Sequence, residues 1–152
     1  MPAHHDRTGR TPDRLADRPT WLISRAFGRS SALLSSAFDE RGDGLRGYHY
    51  RLLSALDQWG PASQADLGRD TGIDRSDVTA VLTDLEGRKL VVREVDPAHK
   101  RRKIVTITPA GTRALRDLDK IVDDVQKVVL SPLTPSQRHQ FMTLISKLLG
   151  EA

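Results

Sequence analysis

The chain of 152 residues contains no cysteine, which excludes disulfides, cysteine-ligated zinc sites and thiol-based redox sensing. Aromatic residues are scarce, and no apolar run approaches the roughly 20 residues that a transmembrane helix needs. Residues 1–18 are polar and charged and lack the apolar segment of a secretory signal peptide. We therefore expect a cytoplasmic protein with no membrane partner, in which residues 1–18 form a disordered N-terminal tail.

Motifs for catalysis and for metal or cofactor binding are missing as well. The serines within residues 30–36 have no G-x-S-x-G frame and no neighbouring base, and the chain has no glycine-rich phosphate loop or H-E-x-x-H motif. Residues 39–44 resemble the start of a calcium-binding loop, but Arg41 and Tyr50 stand where oxygen ligands are needed. The sequence thus predicts no enzyme, no metal site and no cofactor.

The overall composition indicates a soluble globular protein. Hydrophobic residues make up 38% of the chain and charged residues 29%, with a formal net charge of +4. These proportions are typical of a folded domain, and the basic excess suits nucleic-acid binding if it is concentrated on one surface. We assign residues 19–152 to a single domain.

Residues 63–87 carry the strongest local pattern. Ser63 is a suitable N-cap for a short helix, and Gly72 is the expected left-handed stop at its end. Asp74 is the N-cap of the next helix, so only a tight turn separates the two. The second helix has an apolar face formed by Val78, Val81, Leu82 and Leu85. This spacing predicts a helix-turn-helix.

Two β-branched runs follow, at residues 90–95 and 104–108, and predict a β-hairpin. The intervening loop over residues 96–103 carries four consecutive cationic side chains: Lys100, Arg101, Arg102 and Lys103. We therefore expect a hairpin with a basic tip.

Helices are predicted on both sides of this unit, over residues 19–38 and 109–151, the latter interrupted near Ser131. The predicted fold class is mainly α with a small β-hairpin wing: a winged helix-turn-helix lobe over residues 46–108 plus N- and C-terminal dimerisation helices. One lobe cannot bury the apolar stripes of the flanking helices, whereas a second copy of the chain can.

This arrangement suits double-stranded DNA, because the major groove admits one α-helix and a helix N-terminus attracts phosphate. An arginine such as Arg75 can bond a guanine edge, and a basic wing suits the minor groove and its phosphates. The predicted DNA-binding residues lie near the two helix N-termini, on the exposed face of the second helix and on the wing: Ser63, Gln64, Arg75, Ser76, Thr79, Thr83, Lys100, Arg101, Arg102 and Lys103.

Residues 60–115 resemble the MarR family of winged helix-turn-helix transcription regulators. The matching motifs are a D-R-S-x-V-T run from Asp74 to Thr79, an L-x-x-L-E-x-x-x-L-V run from Leu82 to Val91, the wing dipeptide Asp96-Pro97, and T-x-x-G-x-x-x-L from Thr108 to Leu115. His99 and Lys100 stand where the family has Asp and Arg. The resemblance implies a repressor that binds a palindromic operator as a homodimer.

The resemblance also implies a small aromatic or anionic effector bound between the dimer helices and the lobe. Candidate effector-binding residues are Trp21, Arg25, Tyr48 and His49, since aromatic rings can enclose a ligand ring and Arg25 can bind a carboxylate. The competing interpretation is that Trp21 and Tyr48 pack in the dimer interface and that His49 is a hydrogen-bonded core histidine.

An alternative function comes from a different class. The same lobe could be a winged-helix protein-interaction module whose basic wing meets an acidic protein. Salt-dependent, sequence-selective binding to duplex DNA discriminates between the two.

Overall fold

Seven helices and a small antiparallel sheet make up the part of the chain that the computed structural model describes, residues 11–150. The elements in chain order are α1 (Asp13–Ala16), α2 (Pro19–Arg41), α3 (Gly47–Trp59), β1 (Ala62–Ser63), α4 (Gln64–Thr71), α5 (Arg75–Gly87), β2 (Val91–Asp96), β3 (His99–Ile107), α6 (Pro109–Leu130) and α7 (Pro135–Leu148). The mainly helical fold with a small wing is confirmed.

Side chains at the helix starts account for several of these boundaries. The Thr108 hydroxyl accepts a hydrogen bond from the amide of Gly111 at the start of α6. Thr134 and Gln137 form a reciprocal capping box at the start of α7. Gly72 ends α4 in the left-handed conformation, with φ of 66°. Asp74 occupies the N-cap position of α5 but makes no side-chain cap bond.

The sheet is larger than the predicted hairpin. It has three strands in the order β1-β3-β2, with β3 in the centre, and the short strand β1 was not predicted. Strand β3 begins at His99, so the basic residues predicted at a loop tip lie within a strand instead. The connection shrinks to Pro97 and Ala98 because the Asp96 carboxylate accepts the amide of Ala98, at 2.9 Å, and closes a tight turn. We call the β2–β3 hairpin the wing.

One continuous core joins the lobe to the long helix α6. Its lobe part is formed by side chains that are almost fully buried: Leu52, Leu53, Leu56, Leu67, Val78, Leu82, Leu85, Val91 and Val105. Phe38 of α2 extends this core toward Leu118 and Ile121 of α6. The Tyr50 hydroxyl of α3 also donates to Asp119 of α6 at 2.8 Å. The orientation of the lobe is therefore tied directly to α6.

Helices α2 and α6 contact each other at the far side of the lobe, where Arg41 forms an ion pair with Asp124 at 2.9 Å. Helix α2 runs three residues beyond the predicted end at residue 38. Two ion pairs stabilise this last turn, one between Arg41 and Asp124 and one between Asp39 and Arg46 at 3.1 Å. The loop predicted over residues 39–44 is correspondingly shorter.

Several large apolar side chains on α2 and α7 remain exposed. They are Leu22, Ile23 and Phe27 on α2 and Phe141, Met142, Leu144 and Leu148 on α7. Helix α7 has no buried residue at all, although its sequence has an apolar face. These surfaces need a covering that residues 11–150 of one chain do not provide.

The predicted tail differs in part from the structure. Residues 1–10 lie outside the described residues, but Asp13–Ala16 form a one-turn helix where disorder was expected. Its first bonds run from the amides of Leu15 and Ala16 to the carbonyl of Pro12. Because proline presets its own φ, Pro12 favours such a turn. Within residues 11–150, no helix is both long and apolar enough to cross a membrane.

Candidate nucleic-acid interface

The N-terminal half of α5 presents an exposed face of the helix-turn-helix. Val78, Leu82 and Leu85 bury the inner face of α5 against the lobe. The opposite face leaves the side chains of Arg75, Ser76, Thr79 and Thr83 exposed. The helical spacing predicts Arg75, Thr79 and Thr83 on this face and Ser76 near the N-terminus of the helix, and the role of these residues in DNA binding stays a prediction.

The two threonines of this face have their hydroxyl groups engaged along the helix. Thr79 donates to the carbonyl of Arg75 at 3.0 Å, and Thr83 donates to the carbonyl of Thr79 at 2.8 Å. In this orientation Thr79 offers a methyl group and oxygen lone pairs to a neighbouring base but no donor, while the Thr83 hydroxyl also accepts a hydrogen bond from Arg93 at 3.4 Å.

Ser63 and Gln64 have structural partners. Ser63 is only 3% exposed, and its hydroxyl accepts the amide of Asp66 and donates to the Asp66 carboxylate. The Gln64 side-chain oxygen accepts from Arg93 of β2 at 3.2 Å. Both residues were predicted as DNA contacts from their place at the start of α4. Ser63 is the weaker of the two candidates because its hydroxyl is buried and fully used.

The basic cluster of the wing lies along β3, with all four side chains exposed. The register shifts between Val95, which pairs with Lys103, and Asp96, which pairs with His99, so Lys100, Arg101 and Arg102 form a bulge of β3 with no paired residue in β2. Arg102 forms ion pairs with Asp66 at 3.0 Å and with Asp96 at 3.8 Å. Hydrogen bonds from Ser63, and also the guanidinium groups of Arg69 and Arg102, hold the pKa of Asp66 below its usual value.

Arg101 is the wing residue whose loss should report most simply on DNA contact. Arg101→Ala is expected to weaken binding to all duplexes alike and to reduce the slope of log affinity against log salt by about 0.9, the effect of one lost phosphate contact. Filter binding across a salt series measures both. Lys120→Ala, on the exposed surface of α6, is the control for loss of one positive charge. An unchanged slope for Arg101→Ala would remove Arg101 from the interface.

Arg93 was not singled out from the sequence. It lies on the inner face of β2, directly across from Val105 in the sheet register, and its side chain is 11% exposed. Its guanidinium binds both carboxylate oxygens of Glu86 in α5, at 3.0 and 3.2 Å, which lowers the pKa of Glu86. It also donates to Gln64 and Thr83. The only feature of the sequence that could have indicated this role is a charged residue at an inward-facing position of a strand whose side chains alternate between two faces.

The four candidate effector residues fall at separate places within one chain. The Arg25 guanidinium lies over the Trp21 ring at 5.9 Å, and the Trp21 indole nitrogen is buried with no hydrogen-bond partner among residues 11–150. Tyr48 instead stacks with Arg51, at 5.5 Å, near the other end of α2. At about 1.5 Å per residue, α2 separates the two places by roughly 30 Å. A site with all four residues would therefore need a second copy of the chain.

His49 has the surroundings of a core histidine. It is 8% exposed, and its Nδ1 accepts the amide of Arg46 at 3.0 Å. Its Nε2 is 2.8 Å from the Asp84 carboxylate, to which it donates. Burial raises the pKa of Asp84, but bonds from His49 and Arg88 outweigh this and lower it. Both ring nitrogens thus have partners, and they link the start of α3 to α5.

A helix-turn-helix with an exposed second helix, flanked by a basic β-ribbon, defines a winged helix-turn-helix protein of the DNA-binding class. A profile of the MarR family matches residues 43–102. The chain belongs to the MarR family of DNA-binding transcriptional regulators, which is a family of non-enzymatic proteins.

Known proteins resemble the chain over most of its length. A probable transcriptional regulator from Pseudomonas aeruginosa is 30% identical, with a TM-score of 0.77 over 89% of this chain and 99% of that chain. BpsR of Bordetella bronchiseptica, whose DNA binding is regulated by 6-hydroxynicotinic acid, is 28% identical, with a TM-score of 0.72 over 84% of this chain and 95% of that chain. The transcriptional repressor NicR of Pseudomonas putida is 26% identical over 140 residues, 91% of this chain and 87% of NicR.

Proposed function

We propose that this regulator is a repressor that binds a palindromic operator as a homodimer and is released by a small aromatic carboxylate. The observation that carries the DNA-binding part is the exposed N-terminal turn of α5, with Arg75, Ser76 and Thr79, in a lobe whose basic strand β3 is tied to α4 through Arg102 and Asp66. The turn enters the major groove and reads bases, while side chains of β3 bind flanking phosphates. The related protein NicR is named a transcriptional repressor, which supports repression rather than activation.

The homodimer follows from the uncovered apolar faces of α2 and α7. Side chains such as Phe27, which is 71% exposed, and Leu148, which is 73% exposed, belong in an interface. A twofold dimer presents two α5 helices, and these match two half-sites about one turn of DNA apart, or roughly 34 Å. The operator is therefore expected to be a palindrome.

Selection of bound duplexes from a random pool tests the function directly. The proposal predicts that a palindrome is recovered and that its half-sites are spaced by about one helical turn. Binding of the selected duplex should also weaken steeply with salt. If no duplex is enriched, and the protein instead binds an acidic protein through its wing, the protein-interaction alternative is correct.

Arg75 is expected to read a base. Arg75→Ala should cost about 1–3 kcal/mol on the selected duplex and relax the preference at one position in each half-site. The measurement is affinity for the selected duplex and for all single-base variants of it. Lys120→Ala, on the exposed surface of α6, is the control for loss of one positive charge. An equal loss on selected and random DNA would make Arg75 a phosphate contact.

The proposed effector site centres on Trp21 and Arg25. The buried indole N–H of Trp21 lacks an acceptor among residues 11–150, and Arg25 offers a guanidinium beside the ring. Together they suit a planar ring that bears a carboxylate. Regulation of BpsR by 6-hydroxynicotinic acid supports this ligand class. The ligand acts by favouring a lobe orientation in which the separation of the two α5 helices does not match the spacing of the operator half-sites. The hydrogen bond from Tyr50 to Asp119 is one of the contacts that transmit this change of orientation between α6 and the lobe.

Arg25→Ala should separate ligand binding from DNA binding. Aromatic carboxylates that release the wild-type protein from its operator should release the variant only at concentrations about 10–150-fold higher, because a hydrogen bond to a charged group contributes about 1.5–3 kcal/mol. Affinity for the operator without ligand should stay the same. The measurement is a titration of 6-hydroxynicotinate and benzoate against each complex. Equal release of both proteins would show that Arg25 is not the anion contact.

A further inference from the structure

Arg93 connects three elements of the DNA-binding lobe. It belongs to β2 in the wing, and its guanidinium bonds to Glu86 and Thr83 of α5 and to Gln64 of α4. The side chain is 11% exposed, whereas Glu86 is 42% exposed. A planar guanidinium with several fixed donors holds such partners in one relative position, which a flexible lysine ammonium does not.

The position of this cluster matters because the wing is a narrow hairpin. Its tip extends beyond the core, and Val95 is 55% exposed on the strand that carries Arg93. Arg102 makes a second bond from the wing to α4, through Asp66, but at a side-chain exposure of 45%. Between Arg93 and Arg102, Arg93 is therefore the more buried side-chain link from the wing to the helix-turn-helix.

We infer that Arg93 is a positioning residue that locks the wing to α5 and α4, so that Arg75 and the basic side chains of β3 reach DNA together. This inference rests on the proposed function and deepens it. Neither Arg93 nor Glu86 needs to touch DNA. Loss of the pair leaves base reading by α5 intact and leaves the phosphate contacts of the wing largely unmade, since the cost of ordering a loosened wing offsets what those contacts contribute.

The substitution Glu86→Gln distinguishes two roles of Glu86, because loss of its negative charge and loss of its hold on Arg93 predict opposite changes in DNA affinity. Removing a negative charge from a DNA-binding lobe should tighten binding and leave the phosphate contacts in place. If Glu86 serves to hold Arg93, binding weakens instead. Glu94→Gln is the matched control, because Glu94 is the next residue of β2, is exposed and points to the opposite face.

The experiment compares wild type, Glu86→Gln, Arg93→Lys, the double variant and Glu94→Gln on the duplex selected by wild type. We expect about tenfold weaker binding for the first two variants and a salt slope lower by about 0.9 for each wing phosphate lost. In both variants, ethylation of the phosphates that flank the half-sites should no longer interfere with binding. Ethylation of the phosphates near the bases read by α5 should still interfere. The double variant should be no worse than either single variant, and Glu94→Gln should bind as well as wild type or better.

The other possible results distinguish failure of the positioning role from failure of the proposed function. Tighter binding by Glu86→Gln, or a wild-type slope and interference pattern in Arg93→Lys, overturns the positioning role while the proposed function stands. A loss of melting temperature with unchanged slope and flanks also overturns it, because general destabilisation does not remove selected phosphate contacts. If wild type selects no duplex, the proposed function fails and this inference fails with it.

Discussion

Replacing Leu144 and Leu148 by aspartate is expected to turn the protein into a monomer and to lower its affinity for the palindromic duplex by about 10²–10⁴-fold. The two side chains are 61% and 73% exposed on α7, so the substitutions leave the lobe core of the single chain intact. The loss arises because the second half-site no longer binds as part of the same molecule. Sedimentation and binding to full and half duplexes measure the two effects.

Trp59→Asp is the control for these substitutions. Trp59 is 61% exposed, as Leu144 is, but it ends α3 and lies on the lobe away from α2 and α7. The Trp59 variant should remain a dimer. A monomeric Trp59 variant, or a Leu144 and Leu148 variant that stays dimeric with full operator affinity, would contradict a dimer built from α2 and α7.

Gly111→Ala is expected to destabilise the fold by about 3 kcal/mol, at the upper end of what overpacking a buried site costs. Gly111 lies in the first turn of α6, where a Cβ atom would stand 2.1 Å from the carbonyl oxygen of Leu90 and 2.8 Å from Cγ1 of Ile107. Both neighbours belong to the base of the wing, and one of them is backbone. Either α6 or the wing must therefore move to admit a methyl group.

Denaturant unfolding at a fixed protein concentration measures this effect, because a dimer's stability depends on concentration. Gly87→Ala is the control, since a Cβ atom at Gly87 meets nothing within 4 Å. It should be neutral or stabilising by up to about 1 kcal/mol, as alanine is the better helix former. Similar unfolding midpoints for the two variants would show that the junction of α6 with the wing is loose.

Local signals in the sequence were enough to predict the helix-turn-helix. The stop at Gly72, the N-cap positions of Ser63 and Asp74 and the start of α6 after Thr108 each depend on residues within a few positions of one another. The exposed face of α5 followed from the same periodicity. Arg75, Ser76 and Thr79 could therefore be placed together before any tertiary structure was considered.

Non-local pairing was not predictable in this way. Strand β1 has only two residues and exists because Ala62 and Ser63 pair with Ile104 and Val105, far away in the sequence. Pairing with β2 places Lys103 opposite Val95, while a register shift next to the turn leaves Lys100, Arg101 and Arg102 without a paired residue in β2. Hence the basic run lies partly in the paired ladder and partly in a bulge, which its sequence cluster did not indicate.

By itself, the sequence determined the class of the protein, because helix capping, hydrophobic period and the basic run after Asp96-Pro97 are properties of short segments. Only the tertiary structure decided which polar residues are free to meet DNA. It buried Ser63, paired Arg102 with Asp66 and placed Arg93 against Glu86. The physical reason is that an ion pair or a buried hydroxyl depends on which surfaces pack together. That packing brings together residues 7 to 36 positions apart along the chain.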